Sequence, residues 1–197
     1  MREKKRRQTH QRIVAAATTL VTEHGFDNVT VEQICEAAGI SRRTFFNYMD
    51  SKDAAVLGTF PLRVTEASLR KIETTQADNV LGLVLESVEI NPEGLSRERI
   101  TQLRTLVADN PSLQTAALAR KREAMGAVHR AVDKHFAAFP ADRTLDGADE
   151  TTIIVELFQM AATKYLWDAH LLADAPVAEG LRATAAEITQ YAKELKW

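Results

Sequence analysis

Apolar residues recur along this chain at helical spacing, and no stretch shows the strict apolar and polar alternation of a half-buried strand. Between about Lys4 and Glu23, the residues Ile13, Ala16, Ala17, Leu20 and Val21 make one stripe, and Gly25 marks its end as a C-terminal cap. The string TVEQ opens a second helix at Thr30, where Gln33 completes a capping box. Val31, Ile34 and Cys35 of that helix point inward, and Gly39 closes it. A short third helix opens at Ser41 and reaches about Tyr48. A fourth follows Ser51 and stops near Gly58, because Pro61 cannot sit in an unkinked helix interior. Looser periodicity predicts helices over 62–75, 78–90 and 97–109. Asn110, as an N-cap before Pro111, opens a helix of about 40 Å that reaches Phe136. FPADRTLDG is a turn-rich break. Two last helices, 149–172 and 177–195, flank Pro176. The pattern is all-α, with an N-terminal domain over 1–58 and a C-terminal helical domain over 59–197.

Composition changes little in that picture. Of 197 residues, 45% are apolar and 26% charged, as in an ordinary globular protein. The lone Cys35 cannot form an internal disulfide, which fits a reducing compartment. No apolar run approaches the roughly 20 residues that cross a bilayer. The stretch IVAAATTLVTEHG reads as a mature helix and not as a signal peptide. A cytoplasmic protein with no membrane partner is expected.

Charge adds more. Residues 1–63 carry a net +3 and residues 64–197 a net −5. Arg2, Lys4, Lys5, Arg6, Arg7 and Arg12 crowd into the first dozen positions. A basic front end on an acidic body fits a polyanionic partner, or simply a solvated terminus. Charge alone leaves both open.

The segment TVEQICEAAGISRRTFFNYMDSK, Thr30 to Lys52, reads as two short helices joined by a tight Ala-Gly-Ile turn. Gly39 can supply the positive φ that such a turn needs. The second helix places Arg42, Arg43, Thr44 and Asn47 near its start. That is where a recognition helix carries its base-reading donors.

Residues 9 to about 57 resemble the DNA-binding region of the tetracycline-repressor (TetR) family. The resemblance rests on His24-Gly25, Thr30, Ile34, Ala38-Gly39-Ile40-Ser41, Thr44-Phe45-Phe46-Asn47-Tyr48-Met49 and Ser51-Lys52-Asp53. It implies a three-helix DNA-binding domain with a helix-turn-helix, followed by a helical ligand-binding and dimerisation domain. It also implies double-stranded operator DNA as a partner. The candidate contacts are Thr30, Ser41, Arg42, Arg43, Thr44, Phe46, Asn47, Tyr48 and Lys52. Arg42 and Arg43 would read bases. Thr30, Thr44, Asn47, Tyr48 and Lys52 would hold phosphates, and Phe45 would anchor the helix in the core. Two positions depart from the family. Phe46 stands where a tyrosine is usual, so that hydroxyl contact is lost. Cys35 replaces a small alanine and reads as a buried structural thiol.

The helix 149–172 is apolar almost all round, and 177–195 carries a stripe at Leu181, Ala185, Ile188, Ala192 and Leu195. The resemblance implies that these helices pair with their copies in a homodimer. A monomeric helical core remains the alternative from the pattern alone. Leu103, Leu106, Val107, Met125, His129, Val132, Phe158, Met160 and Tyr165 could line a pocket for a small-molecule ligand, with His129 as its polar anchor, or could fill a core. No metal spacing stands out, and no metal or cofactor is expected. No nucleophile elbow, phosphate loop or dinucleotide fingerprint points to an enzyme. The expected function is a transcriptional repressor relieved by an apolar or amphipathic ligand. A DNA-binding architectural or cell-division factor without an inducer is the alternative.

Overall fold

The computed structural model describes residues 2–58, 62–90, 97–146, 149–167 and 177–195. It divides into two compact units, 1–60 with 101–120, and 61–100 with 121–197. The second part of the first unit lies well beyond residue 58, where the sequence showed no composition change to mark it.

The first unit holds α1 (Arg2–His24), α2 (Val31–Ala38), α3 (Arg42–Phe46) and α4 (Lys52–Leu57). It also takes in most of α7 (Arg97–Asp109) and the first ten residues of α8 (Pro111–Ala138). The stripe of α1 is buried at Ile13, Ala17 and Val21, against Ile34 and Ala38 of α2, Phe45 of α3 and Val56 of α4. Leu106 and Leu113 complete that core. Asn110 stands where the sequence suggested an N-cap, but its amide serves elsewhere. Its Oδ1 accepts from the Phe26 N–H at 2.8 Å, and its Nδ2 donates to the Leu106 carbonyl at 2.7 Å. One side chain thereby ties the α7–α8 junction to the loop between α1 and α2.

The second unit holds α5 (Glu66–Thr74), α6 (Val80–Ser87), the rest of α8, α9 (Glu150–Trp167) and α10 (Val177–Glu194). Two helices expected from periodicity are shorter than predicted. The 62–75 helix begins only after Thr65, whose hydroxyl accepts from the Ser68 N–H at 3.2 Å. The 78–90 helix ends at Ser87. The freed residues form a two-residue antiparallel ladder of β1 (Leu62–Arg63) and β2 (Glu89–Ile90). A pairing this short joins Leu62 to Ile90 and Arg63 to Glu89, far apart along the chain, and leaves no local period to read. Pro61, Pro176 and the end of the 149–172 helix beyond Trp167 lie outside the described residues.

Ile72, Val128, Val132, Phe136, Ile154, Phe158, Tyr165 and Leu181 form the second core. Within it sits a buried polar knot. His135 has no exposed surface, and its Nδ1 lies 2.9 Å from the Ile72 carbonyl. Its Nε2 lies 3.1 Å from Asp142 Oδ2 without forming a hydrogen bond. Asp142 is nearly buried on a single 3-10 turn, and the same Oδ2 accepts the Ala77 N–H at 2.8 Å. No described helix is long and apolar enough to cross a membrane.

Candidate nucleic-acid interface

Local side-chain chemistry shapes the α2–α3 pair. Thr30 Oγ1 accepts from the Gln33 N–H at 3.2 Å, and Gln33 Oε1 accepts from the Thr30 N–H at 2.8 Å. This reciprocal cap satisfies donors that the first turn of α2 would leave open. Gly39 ends α2 at φ 63°, with nothing near its missing Cβ. The backbone sign, and not crowding, therefore asks for glycine there. The Ile40 N–H then closes onto the Cys35 carbonyl at 3.0 Å. Ser41 starts α3 by accepting from the Thr44 N–H at 3.0 Å.

These turns decide what α3 shows. Phe45 is fully buried and Met49 nearly so. With those two held in the core, Ser41, Arg42, Arg43, Phe46 and Asn47 point to solvent, and Thr44 and Tyr48 are half-buried at the edge. The helix is shorter than expected. It ends at Phe46, and Asn47 is its C-cap, with its N–H on the Arg43 and Thr44 carbonyls.

Arg42 and Glu32 form an ion pair at 2.9 Å, both well exposed. Exposed pairs of this kind contribute about 0–1 kcal/mol, so little holds Arg42 back from another anion. The Arg42 guanidinium also lies 5.7 Å from the Phe46 ring, which meets Phe45 edge to face at 5.3 Å. Burial pushes the Cys35 thiol up from its ordinary pKa, Glu32 adds to the rise and Arg42 opposes it. The thiol stays protonated and acts as a small core residue.

Lys52 Nζ donates to the Phe26 carbonyl at 2.7 Å and the Val29 carbonyl at 2.8 Å, and it sits 4.1 Å from the Phe26 ring centre. Two of its three donors are therefore engaged in the loop that leads to Thr30. The resemblance implies a phosphate contact for Lys52; the two bonds to carbonyls brace the turn and leave one donor for that role. Periodicity could not show this, because the carbonyls lie 23 and 26 positions away.

The nine residues expected to line a ligand pocket divide between the two units. Leu103, Leu106 and Val107 belong to the core of the first unit. Met125, Val132, Phe158 and Tyr165 belong to that of the second. Met160 is 46% exposed. His129 lies at the surface, with Nδ1 3.1 Å from Asp133 Oδ2 and Nε2 3.4 Å from Thr152 Oγ1. The physical reason is rotation about α8. His129 and Val132 are neighbours in sequence spacing, but Val132 faces the core and His129 faces the exposed start of α9. Sequence reasoning also missed Asn110 as the tie onto Phe26, for which no local signal exists. Among the described residues, no group of three or more His, Cys, Asp or Glu side chains could hold a metal ion.

Comparison with known proteins agrees with this geometry. Residues 13–57 match the family described as bacterial regulatory proteins, tetR family. The chain is 38% identical over 58 residues to the uncharacterized HTH-type transcriptional regulator YdeS of Bacillus subtilis (strain 168), over 29% of each chain. It is 28% identical over 144 residues to the HTH-type transcriptional regulator TcmR of Streptomyces glaucescens, covering 67% of this chain and 62% of that one. The matches thus span less than two thirds of either relative. Among solved structures, Thermus thermophilus FadR, a TetR family transcriptional repressor in complex with lauroyl-CoA, aligns over 95% of this chain and 96% of its own. That alignment has 22% identity and a TM-score of 0.39. The motif, the α2–α3 geometry built on it and the family match agree on the N-terminal region: residues 13–57 are similar to the helix-turn-helix region of bacterial regulatory proteins of the tetR family.

Proposed function

We propose that this regulator is a repressor that binds a two-fold operator as a homodimer and is released by a small apolar or amphipathic ligand. The DNA part rests on one observation above others. Phe45 is locked in the core, so Arg42 and Arg43 leave the first turn of α3 unobstructed. In this reading both arginines enter the major groove, and the bidentate fit of guanidinium to guanine gives the base preference. Thr30, Ser41, Thr44, Asn47 and Tyr48 hold phosphates and set the register. The Phe46 ring offers an apolar surface to a thymine methyl. Lys52 acts through the loop it braces, and so positions Thr30.

The dimer is supported by an apolar stripe that the single chain leaves open. Ile153, Met160 and Trp167 are 40%, 46% and 60% exposed. They lie at i, i+7 and i+14 on α9, the heptad spacing of a helix seam. Tyr191 and Leu195 of α10 are also exposed. Covering such side chains is worth up to about 1.5–3 kcal/mol each, and the occupant of matching length and pattern is a second copy. DNA selected from a random pool should then be pseudopalindromic, with half-sites about one helical turn apart. Met160→Glu should give monomers in sedimentation at micromolar concentration and lose the two-fold site. A wild-type chain that sediments as a monomer, or selects an asymmetric single site, would sink the dimer.

For release, the second unit supplies the ligand surface in this reading. Met125 is half-buried there against a core that includes Val132, Phe158 and Tyr165, and a flexible thioether can repack around an apolar guest. Linkage sets the consequence. A ligand that favours an arrangement unfit for DNA must weaken DNA binding by the factor that DNA weakens the ligand. Thermal-shift screening should find stabilising apolar compounds, and those compounds should release the selected DNA. If every stabilising compound left DNA affinity unchanged, an inducer-free DNA-binding factor would be the better account.

A further inference from the structure

The basic start of α1 is built into a groove that the base-reading role of α3 does not require. Lys5, Thr9 and Arg12 fall at i, i+4 and i+7, so they share one face of α1, with Arg6 beside them. Ile40 of the turn, together with Thr44 and Tyr48 around α3, forms the opposite wall. The open groove between them has a volume of about 640 Å³. Thr9 is buried, and its hydroxyl donates to the Lys5 carbonyl at 3.1 Å. Lys5, Arg6 and Arg12 are exposed. Among the described residues, none of the three has a carboxylate partner, whereas Arg42 has one.

The charge is also in the locally unfavourable place. The first turns of a helix carry the positive end of its dipole and favour acidic side chains. Here α1 opens REKKRR. A local preference overridden without local gain points to a demand from outside the helix. The groove supplies that demand, because Thr44 and Tyr48, two of the side chains assigned to phosphates, line it together with the three cations.

We propose that this groove is a second DNA-backbone site, which takes the sugar-phosphate strand flanking the base pairs read by α3. Lys5, Arg6 and Arg12 neutralise its phosphates, and Ile40 meets the sugars. Lys5 to Arg12 spans about 10 Å of helix. Three cations spread over that length can meet at most about three backbone phosphates. This site rests on the DNA-binding reading above and extends it from the helix-turn-helix onto α1.

The test uses the full chain and the DNA it selects from a random pool. Lys5→Gln, Arg6→Gln and Arg12→Gln are combined in one variant. A second variant, Lys5→Arg with Arg6→Lys and Arg12→Lys, keeps the charge. The neutral variant should lower the slope of log affinity against log salt by about two to three units, since each phosphate contact contributes about 0.9. It should lose backbone protection only at the flanks of the footprint and reselect the same bases. The charge-keeping variant should retain the slope and the protection. Circular dichroism and melting should match wild type for both. An unchanged slope and footprint in the folded neutral variant would overturn the second site while leaving the α3 reading intact. A wild-type chain that selects no sequence and binds no duplex would overturn both.

Discussion

Combined replacement of Arg42 and Arg43 by alanine is expected to remove sequence-selective DNA binding while leaving the fold unchanged. Each bidentate arginine contributes about 1–3 kcal/mol of discrimination. Together the two should cost from about 30-fold to about 10⁴-fold in affinity for the selected site, at roughly 1.4 kcal/mol per decade. The fold should survive because both side chains are exposed and the Ser41 cap that starts α3 remains. Each single change should relax preference at one base pair per half-site. Arg43→Lys should keep part of the affinity but lose the preference, because an ammonium cannot form the planar fork that reads O6 and N7. Binding measured by anisotropy on the selected site and on scrambled duplex separates these outcomes. If the double variant kept both affinity and preference, α3 would not be the reading helix.

The second large effect concerns stability and lies far from the DNA in sequence. Asp142→Ala should cost about 1–3 kcal/mol, the range for leaving a buried hydrogen-bond donor unsatisfied. The change leaves the Ala77 N–H without its acceptor and the fully buried His135 ring facing an empty site. For a chain of this size, each kcal/mol lowers Tm by about 2–4 °C, so a fall of roughly 2–12 °C is expected. Asp142→Asn should fall in between, because its amide oxygen can still accept from Ala77 while the charge is gone. A loss below about 1 kcal/mol for the alanine variant, in denaturant titration, would show that the knot contributes little.

Much of the DNA-binding unit was legible in the order of residues, and the reasons are local. The Thr30 and Gln33 capping box, the Ser41 and Ser51 caps and the left-handed Gly39 all act within three or four positions. The stripe on α1 is a property of helical period, and its burial at Ile13, Ala17 and Val21 follows it. The resemblance already placed Phe45 in the core, and its burial leaves Arg42, Arg43 and Phe46 exposed. The pocket residues were not legible. A surplus of apolar side chains states how much surface needs cover, but not which of several partners covers it. Leu106 and Phe158 looked equivalent along the chain and belong to different cores.

The amino-acid order by itself determined the helical period, the side-chain caps of α2, α3 and α4 and the turn between α2 and α3, because each depends on neighbours within about one turn of chain. Only the tertiary structure decided the rest. It placed residues 101–120 with the α1–α4 helices, closed Lys52 onto the loop before Thr30 and sent the Asn110 amide to Phe26. It buried His135 against Asp142 and paired Leu62 with Ile90. The Lys52, Asn110 and Leu62 contacts join groups more than twenty positions apart, and His135 meets Ile72 across 63. A side chain with several possible partners takes the one that packing brings within about 3 Å, and periodicity carries no information about that choice.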